Sequence, residues 1–170
     1  LLLGILKRDN PNNGIIFTNT KQAAFEVAQR LEVNGIHCEY IIGDLPQSKR
    51  LRIIDSVKSG KTPFLVATDV AARGLHINDL EIVIHYDLPQ EAENYVHRSG
   101  RTARLGKSGK AVAMACEQYV YSLEDIEEFI HMKLPVSWPD EKLLLEDKSA
   151  GMRFRLEREQ TGTRRRTERG

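Results

Sequence analysis

The stretch that best indicates the fold is Gly14-Ile15-Ile16-Phe17-Thr18, a short run of β-branched and aromatic residues. Such a run predicts a buried strand. Thr20 then opens an amphipathic helix whose apolar residues recur at helical spacing, at Ala23, Val27 and Leu31. A strand followed directly by a helix is the repeating unit of a parallel sheet covered by helices.

The same alternation continues along the chain. Gly35 ends the first helix, and further strands are predicted at residues 36–42, 64–68, 81–86 and 110–116. Helices are predicted at residues 46–59, 91–99 and 119–131. The apolar residues that should face inward from these helices are Leu51, Ile54, Val57, Leu123, Ile126 and Ile130. We therefore predict an α/β fold, a three-layer domain with a parallel β-sheet between helices.

Charge divides the chain into two parts. Residues 1–147 contain 17 Lys and Arg against 21 Asp and Glu, whereas residues 148–170 contain 8 against 3. We predict one domain over residues 1–146 and a basic, disordered tail over residues 147–170, since the end is poor in apolar side chains. The tail's composition fits a polyanion-binding segment and a solvated segment equally well.

Several classes of protein are disfavoured by the composition. The apolar runs are far shorter than the roughly 20 residues of a membrane helix, so we expect a soluble, cytoplasmic protein with no membrane partner. The chain opens at Leu1 without a signal-peptide pattern, which we interpret as a cut from a longer chain. Cys38 and Cys116 have no CxxC partner, so we expect buried thiols and no metal site.

Candidate chemistry is concentrated in the octet His97-Arg98-Ser99-Gly100-Arg101-Thr102-Ala103-Arg104. Arginine is permanently charged and presents a planar fork of donors, so Arg101 and Arg104 can bind the terminal phosphate oxygens of a nucleotide. Gly100 would let the backbone turn closely. A solvated basic turn is the alternative, and the surrounding His, Gly and Thr disfavour it.

This octet resembles motif VI of the DEAD-box family of ATP-dependent RNA helicases, and three other segments also match. Residues 15–20 are similar to motif IV, Gln47 and Arg50 have the spacing of motif IVa after Gly43, and residues 67–74 are similar to motif V. The four segments occur in the family's order over roughly residues 14–131. The resemblance implies the C-terminal RecA-like lobe of a two-lobed RNA helicase, and it disfavours a DNA helicase lobe.

The resemblance also implies a role for each matched residue. Arg101 and Arg104 become arginine fingers on ATP bound by the N-terminal lobe, with Gly74 and His76 also near the nucleotide. The family usually has an acid where this chain has His76, so we expect a weaker or differently oriented ribose contact. The residues implied to hold the backbone of single-stranded RNA are Gly43, Gln47, Arg50 and Thr68. From their spacing alone, Gln47 and Arg50 would be interpreted as residues on the exposed face of a helix. The residues implied to support these sites are Asp69, Arg73, His97 and Arg98.

Gly60-Lys61-Thr62 carries the last letters of a P-loop, but Asp55 stands where the loop needs glycine, and Pro63 follows. We therefore predict a helix-ending turn there. No DEAD tetrapeptide occurs in the chain. The resemblance thus implies that ATP and Mg²⁺ are bound mainly by the N-terminal lobe, and that this lobe alone is inactive.

Partners are implied by a finer resemblance. His76, residues 115–119, Pro135-Val136 and the basic tail resemble a bacterial subgroup of the family that acts in RNA degradation. The expected partners are single-stranded or duplex RNA, the N-terminal RecA-like lobe and an RNase E-type degradosome scaffold. The alternative is a non-catalytic module that binds RNA or protein.

Overall fold

The computed structural model describes residues 1–102 and 109–156. Within them, five strands form one parallel sheet in the order β2-β3-β1-β4-β5. The strands are β1 (Gly14–Thr18), β2 (Cys38–Ile41), β3 (Phe64–Thr68), β4 (Ile82–His85) and β5 (Lys110–Ala113). The helices are α1 (Leu2–Asp9), α2 (Lys21–Val33), α3 (Gln47–Lys58), α4 (Asp69–Ala72), α5 (Ala92–Ser99) and α6 (Ser122–Ile130), with a short 3₁₀ helix at Glu141–Leu143.

Helices cover both faces of the sheet. Side chains alternate between faces along each strand, so Ile16 of β1 packs with residues of α1 and α2, whereas Ile15 and Phe17 pack with residues of α3 and α4. Every residue of β1, β3 and β4 is buried. The predicted three-layer α/β fold with a parallel sheet is confirmed.

The predicted helix after β1 is confirmed together with its cap. The Thr20 hydroxyl accepts a hydrogen bond from the Ala23 amide at 3.1 Å, which satisfies one of the free N–H groups of the first turn. The Gly60 turn also agrees with the prediction, because α3 ends at Lys58 and the Gly60 amide donates to Val57. No strand leads into that turn.

Helix α1 was not predicted from the sequence. It is rich in leucine but interrupted by Gly4, which lowers its helix propensity. The glycine is required by packing, since a Cβ atom there would lie 2.0 Å from the carbonyl oxygen of Leu143. None of the helices in residues 1–102 and 109–156 is long and apolar enough to cross a membrane.

Two expectations about burial were wrong. Leu51 is 51% exposed and Ile53 is the buried residue of α3, because only a narrow stripe of this helix reaches the sheet. Cys38 is buried as expected, but Cys116 is exposed, because the edge strand β5 ends at Ala113 before reaching it. Burial raises the pKa of the Cys38 thiol to about 12.

Residues 147–156, which the sequence assigned to the tail, lie along α2. We call them the strap. Arg30 donates to the carbonyl and hydroxyl oxygens of Ser149 at 3.1 and 3.0 Å, and its guanidinium lies 5.6 Å from the Phe154 ring centre. Asn34 and Gln22 bond to the two ends of the strap. The rest of the predicted tail lies outside the described residues, and the domain boundary stays a prediction.

Candidate functional site

Arg98 is the centre of the site, although it is one of the most deeply buried side chains in the described chain, with 1% exposed. Its Nε and Nη2 atoms donate to the two carboxylate oxygens of Asp69, each at 2.7 Å. Nη1 donates to the Asp87 carbonyl at 2.7 Å, and Nη2 also donates to Asn19 Oδ1 at 2.9 Å. The guanidinium lies 5.2 Å from the Phe17 ring centre. A buried charge is tolerated only when paired and hydrogen-bonded in this way.

The three partners of Arg98 come from three neighbouring strands. Asn19 follows β1 directly, Asp69 follows β3, and Asp87 lies just beyond β4. Because the strands are parallel, these residues meet at the carboxyl edge of the sheet, where open α/β sheets bind their ligands. Arg98 therefore fixes α5 to that edge.

Two titratable groups beside Arg98 have shifted pKa values. Burial raises the pKa of the Asp87 carboxyl, and a hydrogen bond from the Asn19 amide and the charge of Arg98 oppose that rise only in part. Burial also lowers the pKa of His85 to about 3, with a smaller contribution from Arg98. His85 is therefore neutral at physiological pH.

The end of α5 leads to the predicted arginine fingers. The Leu80 amide donates to the Arg101 carbonyl at 3.2 Å, and the Thr102 hydroxyl donates to the Leu80 carbonyl. These bonds join the segment after α5 to the loop between α4 and β4, which carries Gly74 and His76. Three of the predicted nucleotide contacts, Gly74, His76 and Arg101, therefore lie on two segments that are hydrogen-bonded to each other. Arg104 lies outside the described residues.

The predicted RNA contacts lie at the carboxyl edge. Thr68 ends β3 and is buried, Gly43 is exposed shortly after β2, and Gln47 is exposed on the first turn of α3. Arg50 is partly buried and donates to the Ala71 carbonyl at 2.6 Å, which ties α3 to α4. This set combines hydroxyl, amide, guanidinium and backbone groups, which can hold phosphates without reading bases.

The remaining predicted residues are exposed. Gly74 and His76 have backbone φ angles of +74° and +47°, so the loop after α4 turns sharply here. Arg73 precedes them in an extended conformation at the end of α4. His97 is exposed on α5 and makes no side-chain hydrogen bond with a described residue. No group of three or more metal-ligating side chains occurs in the part of the chain that the structure describes.

Three residues of the site were not singled out from the sequence, namely Asn19, His85 and Asp87. Each lies at the end of a buried strand or within two residues of it. A rule that inspects every polar residue immediately after a predicted parallel strand would have found Asn19 and Asp87, but not His85, which lies within the strand itself.

The chain belongs to the helicase conserved C-terminal domain family, whose model matches residues 1–106. Its fold is that of the C-terminal RecA-like domains of DEAD-box proteins. It is similar to the ATP-dependent RNA helicase RhlB of Shewanella sediminis, with 48% identity over 153 residues, which are 90% of this chain and 35% of that protein. The chain therefore spans about a third of the length of the curated relatives it matches.

Two solved structures extend the comparison. The Escherichia coli DEAD-box protein SrmB, bound to the regulator of ribonuclease activity A, has a TM-score of 0.74 and 32% identity over 83% of both chains. Domain 2 of the DEAD-box helicase Mss116p, bound to an RNA duplex, has a TM-score of 0.69 and 28% identity, covering 82% of this chain and 57% of that one.

Proposed function

We propose that this chain is the second RecA-like lobe of an ATP-dependent DEAD-box RNA helicase. The observation that carries the proposal is the network of Arg98, which holds the end of α5 against the carboxyl edge of the sheet. Such a network would hold Arg101, which lies two residues beyond α5, in one position relative to the rest of the lobe. Arginine fingers stabilise the charge that develops on a transferred phosphoryl group, and they act only when held in place.

ATP and Mg²⁺ would be bound mainly by an N-terminal lobe. Arg101 and Arg104 would contact the terminal phosphates across the cleft, and Gly74 and His76 would lie near the ribose. Mg²⁺ would neutralise phosphate charge during transfer. This division of binding between the two lobes is carried over from the resemblance to the DEAD-box family.

RNA would be held at the carboxyl edge by Gly43, Gln47, Arg50 and Thr68. Because these groups suit phosphates and sugars, binding should be largely independent of sequence. Closure of the two lobes on ATP and RNA would hold one bent strand and exclude its complement, so a short duplex would separate. The RNA duplex bound to domain 2 of Mss116p supports an RNA-binding role for this type of domain.

The test is RNA-stimulated ATP hydrolysis by the chain alone and after fusion to the N-terminal lobe of the related RhlB from Shewanella sediminis. We expect activity only in the fusion, and only when RNA is present. Hydrolysis by the chain alone would contradict the proposal. RNA binding without hydrolysis in a folded fusion would favour the non-catalytic binding module instead.

We propose in addition that the lobe docks on an RNase E-type scaffold. The similarity to RhlB supports this, and so do strongly exposed apolar side chains at and beyond α6, namely Tyr121, Val136 and Trp138. Titration calorimetry of an RNase E scaffold segment into the chain tests it. Binding that Trp138→Ala weakens is expected, whereas no heat of binding to the wild type would exclude the docking.

A further inference from the structure

His85 is a buried polar residue whose role is not explained by the site described above. It ends β4, is fully buried, and its Nε2 atom lies 3.1 Å from the hydroxyl oxygen of Ser99. Its ring stacks on Tyr95, with centroids 4.6 Å apart and an interplanar angle of 20°. Tyr95 and Ser99 lie one turn apart on α5, so one imidazole contacts the same face of that helix twice.

The hydrogen bonding of His85 indicates which ring nitrogen carries the proton. Nδ1 is buried and has no partner among the described residues. A buried N–H without an acceptor is rarer in proteins than a buried lone pair without a donor. These contacts favour the neutral tautomer with its proton on Nε2, which donates to the Ser99 hydroxyl and leaves only a lone pair unsatisfied on Nδ1.

Ser99 is the residue through which this contact reaches the predicted finger. It is the last residue of α5, and its carbonyl accepts from the Thr102 amide at 3.2 Å. The Arg101 amide donates to the Arg98 carbonyl at 3.1 Å in the same turn. Two backbone hydrogen bonds therefore close the turn that contains Arg101. One is accepted by Arg98, whose side chain is bound at the carboxyl edge, and the other by Ser99, whose hydroxyl contacts His85.

We propose that His85 is a positioning residue that fixes the end of α5, and with it Arg101, through its hydrogen bond to Ser99. This inference rests on the proposed function, because it assigns a purpose to the position of Arg101. Displacing a catalytic group by about 1 Å can cost on the order of 100-fold in rate. The contact should therefore affect turnover more than it affects binding.

The experiment uses the fusion with the RhlB N-terminal lobe and compares His85→Leu, Ser99→Ala, the double variant and His85→Gln. Leucine fills the space without donating a hydrogen bond, whereas the Gln amide nitrogen can replace Nε2. We expect His85→Leu and Ser99→Ala each to lower kcat about 10-fold to 100-fold with the KM values for ATP and RNA within about twofold. The double variant should be no slower than either single one, and His85→Gln should recover most of kcat.

Ile84→Val is the matched control for lost packing, because Ile84 is fully buried on the same strand and packs on the opposite face of the sheet. It should lower thermal stability without changing kcat. If His85→Leu lowers stability but leaves kcat unchanged while Arg101→Ala abolishes turnover, the positioning role is excluded and the proposed function stands. If Arg101→Ala has no effect on turnover, the proposed function itself fails.

Discussion

At the scale of single residues, Arg98 determines how the site is held together. Arginine is rarely fully buried, because removing a charge from water is costly unless hydrogen bonds replace the lost hydration. Here Nε, Nη1 and Nη2 all donate to protein oxygens. The sequence identified Arg98 as a supporting residue, but it gave no sign that this side chain is more deeply buried than its neighbours.

Removing the carboxylate partner of Arg98 should be strongly destabilising. Asp69→Ala would leave a buried charge without its counter-ion, so we expect the free energy of unfolding to fall by about 3 to 5 kcal/mol. Urea denaturation followed by circular dichroism measures this. The control is Asp44→Ala, which removes the exposed ion pair with Lys21 and should cost less than about 1 kcal/mol. Similar losses in the two variants would contradict the role of the network.

Motifs in the sequence locate single residues of this site, but not the hydrogen bonds that join them. The motifs singled out Thr68, Asp69 and Arg101, which the structure places at the end of β3, at the start of α4 and just after α5, and their roles stay predictions. The partners of Arg98 could not be predicted, because Asn19 lies 79 positions away and meets it only through the strand order of the sheet. Spacing rules describe neighbours on one element, whereas this network joins the ends of three strands.

At the scale of elements, apolar runs located the strands because buried parallel strands are almost continuously hydrophobic. Helix α1 was missed because Gly4 interrupts it, and the reason for that glycine is a contact with Leu143, far away in sequence. The edge strand β5 was predicted too long, since its residues are largely exposed and carry a weaker pattern. Propensity alone cannot reveal such tertiary contacts.

Helix α1 is tied to β5 by Asp9, which accepts from Arg8 at 2.8 Å and pairs with Lys110 at 2.7 Å. The hydrogen bond from Arg8 is the main cause that lowers the pKa of Asp9 from 3.8 to about 2, with Lys110 adding to it. A lowered carboxyl pKa in the folded state contributes stability above the unfolded pKa, and this contribution is lost as the pH falls through the folded pKa.

Asp9→Asn should therefore reduce the free energy of unfolding by about 1 to 2 kcal/mol above pH 5. The difference from the wild type should shrink as the pH falls from about 4 toward 2. Urea titrations between pH 2 and 7 measure this difference. Asp55→Asn, at an exposed position of α3, is the control for losing a carboxylate. A difference in the free energy of unfolding that grows as the pH falls would contradict a stabilising role of the Asp9 carboxylate.

The strap depends on Arg30, which also bonds to Glu26 at 2.8 Å and to the Met152 carbonyl at 3.3 Å. Arg30→Ala should accelerate trypsin cleavage after Arg153 by several-fold, because loss of hydrogen bonds to a charged group costs about 1 to 2 kcal/mol at a partly exposed site. Timed digestion followed by mass spectrometry measures this. The control is Arg52→Ala at an exposed position of α3, which should leave the cleavage rate unchanged. Equal cleavage rates in the wild type, Arg30→Ala and Arg52→Ala would show that Arg30 does not hold the strap.

At the scale of the whole molecule, the candidate site residues of the described chain are concentrated at the carboxyl edge of the sheet. Val70 and Val96 flank the Asp69 and Arg98 pair in sequence and are 68% and 45% exposed, so apolar surface remains open beside a buried ion pair. A second lobe that closes on this edge would cover both groups. We propose that this edge is one half of a cleft whose other half is the N-terminal lobe.

We propose that Arg101 and Arg104 act on phosphate and not on RNA. The most direct measurement is kcat for RNA-stimulated ATP hydrolysis by the fusion, beside RNA affinity at fixed salt, for the wild type, Arg101→Ala and Arg104→Ala. We predict that kcat falls by about 10³-fold to 10⁵-fold while RNA affinity changes little. Equal losses of turnover and RNA affinity, or unchanged turnover, would contradict the action of these arginines on phosphate.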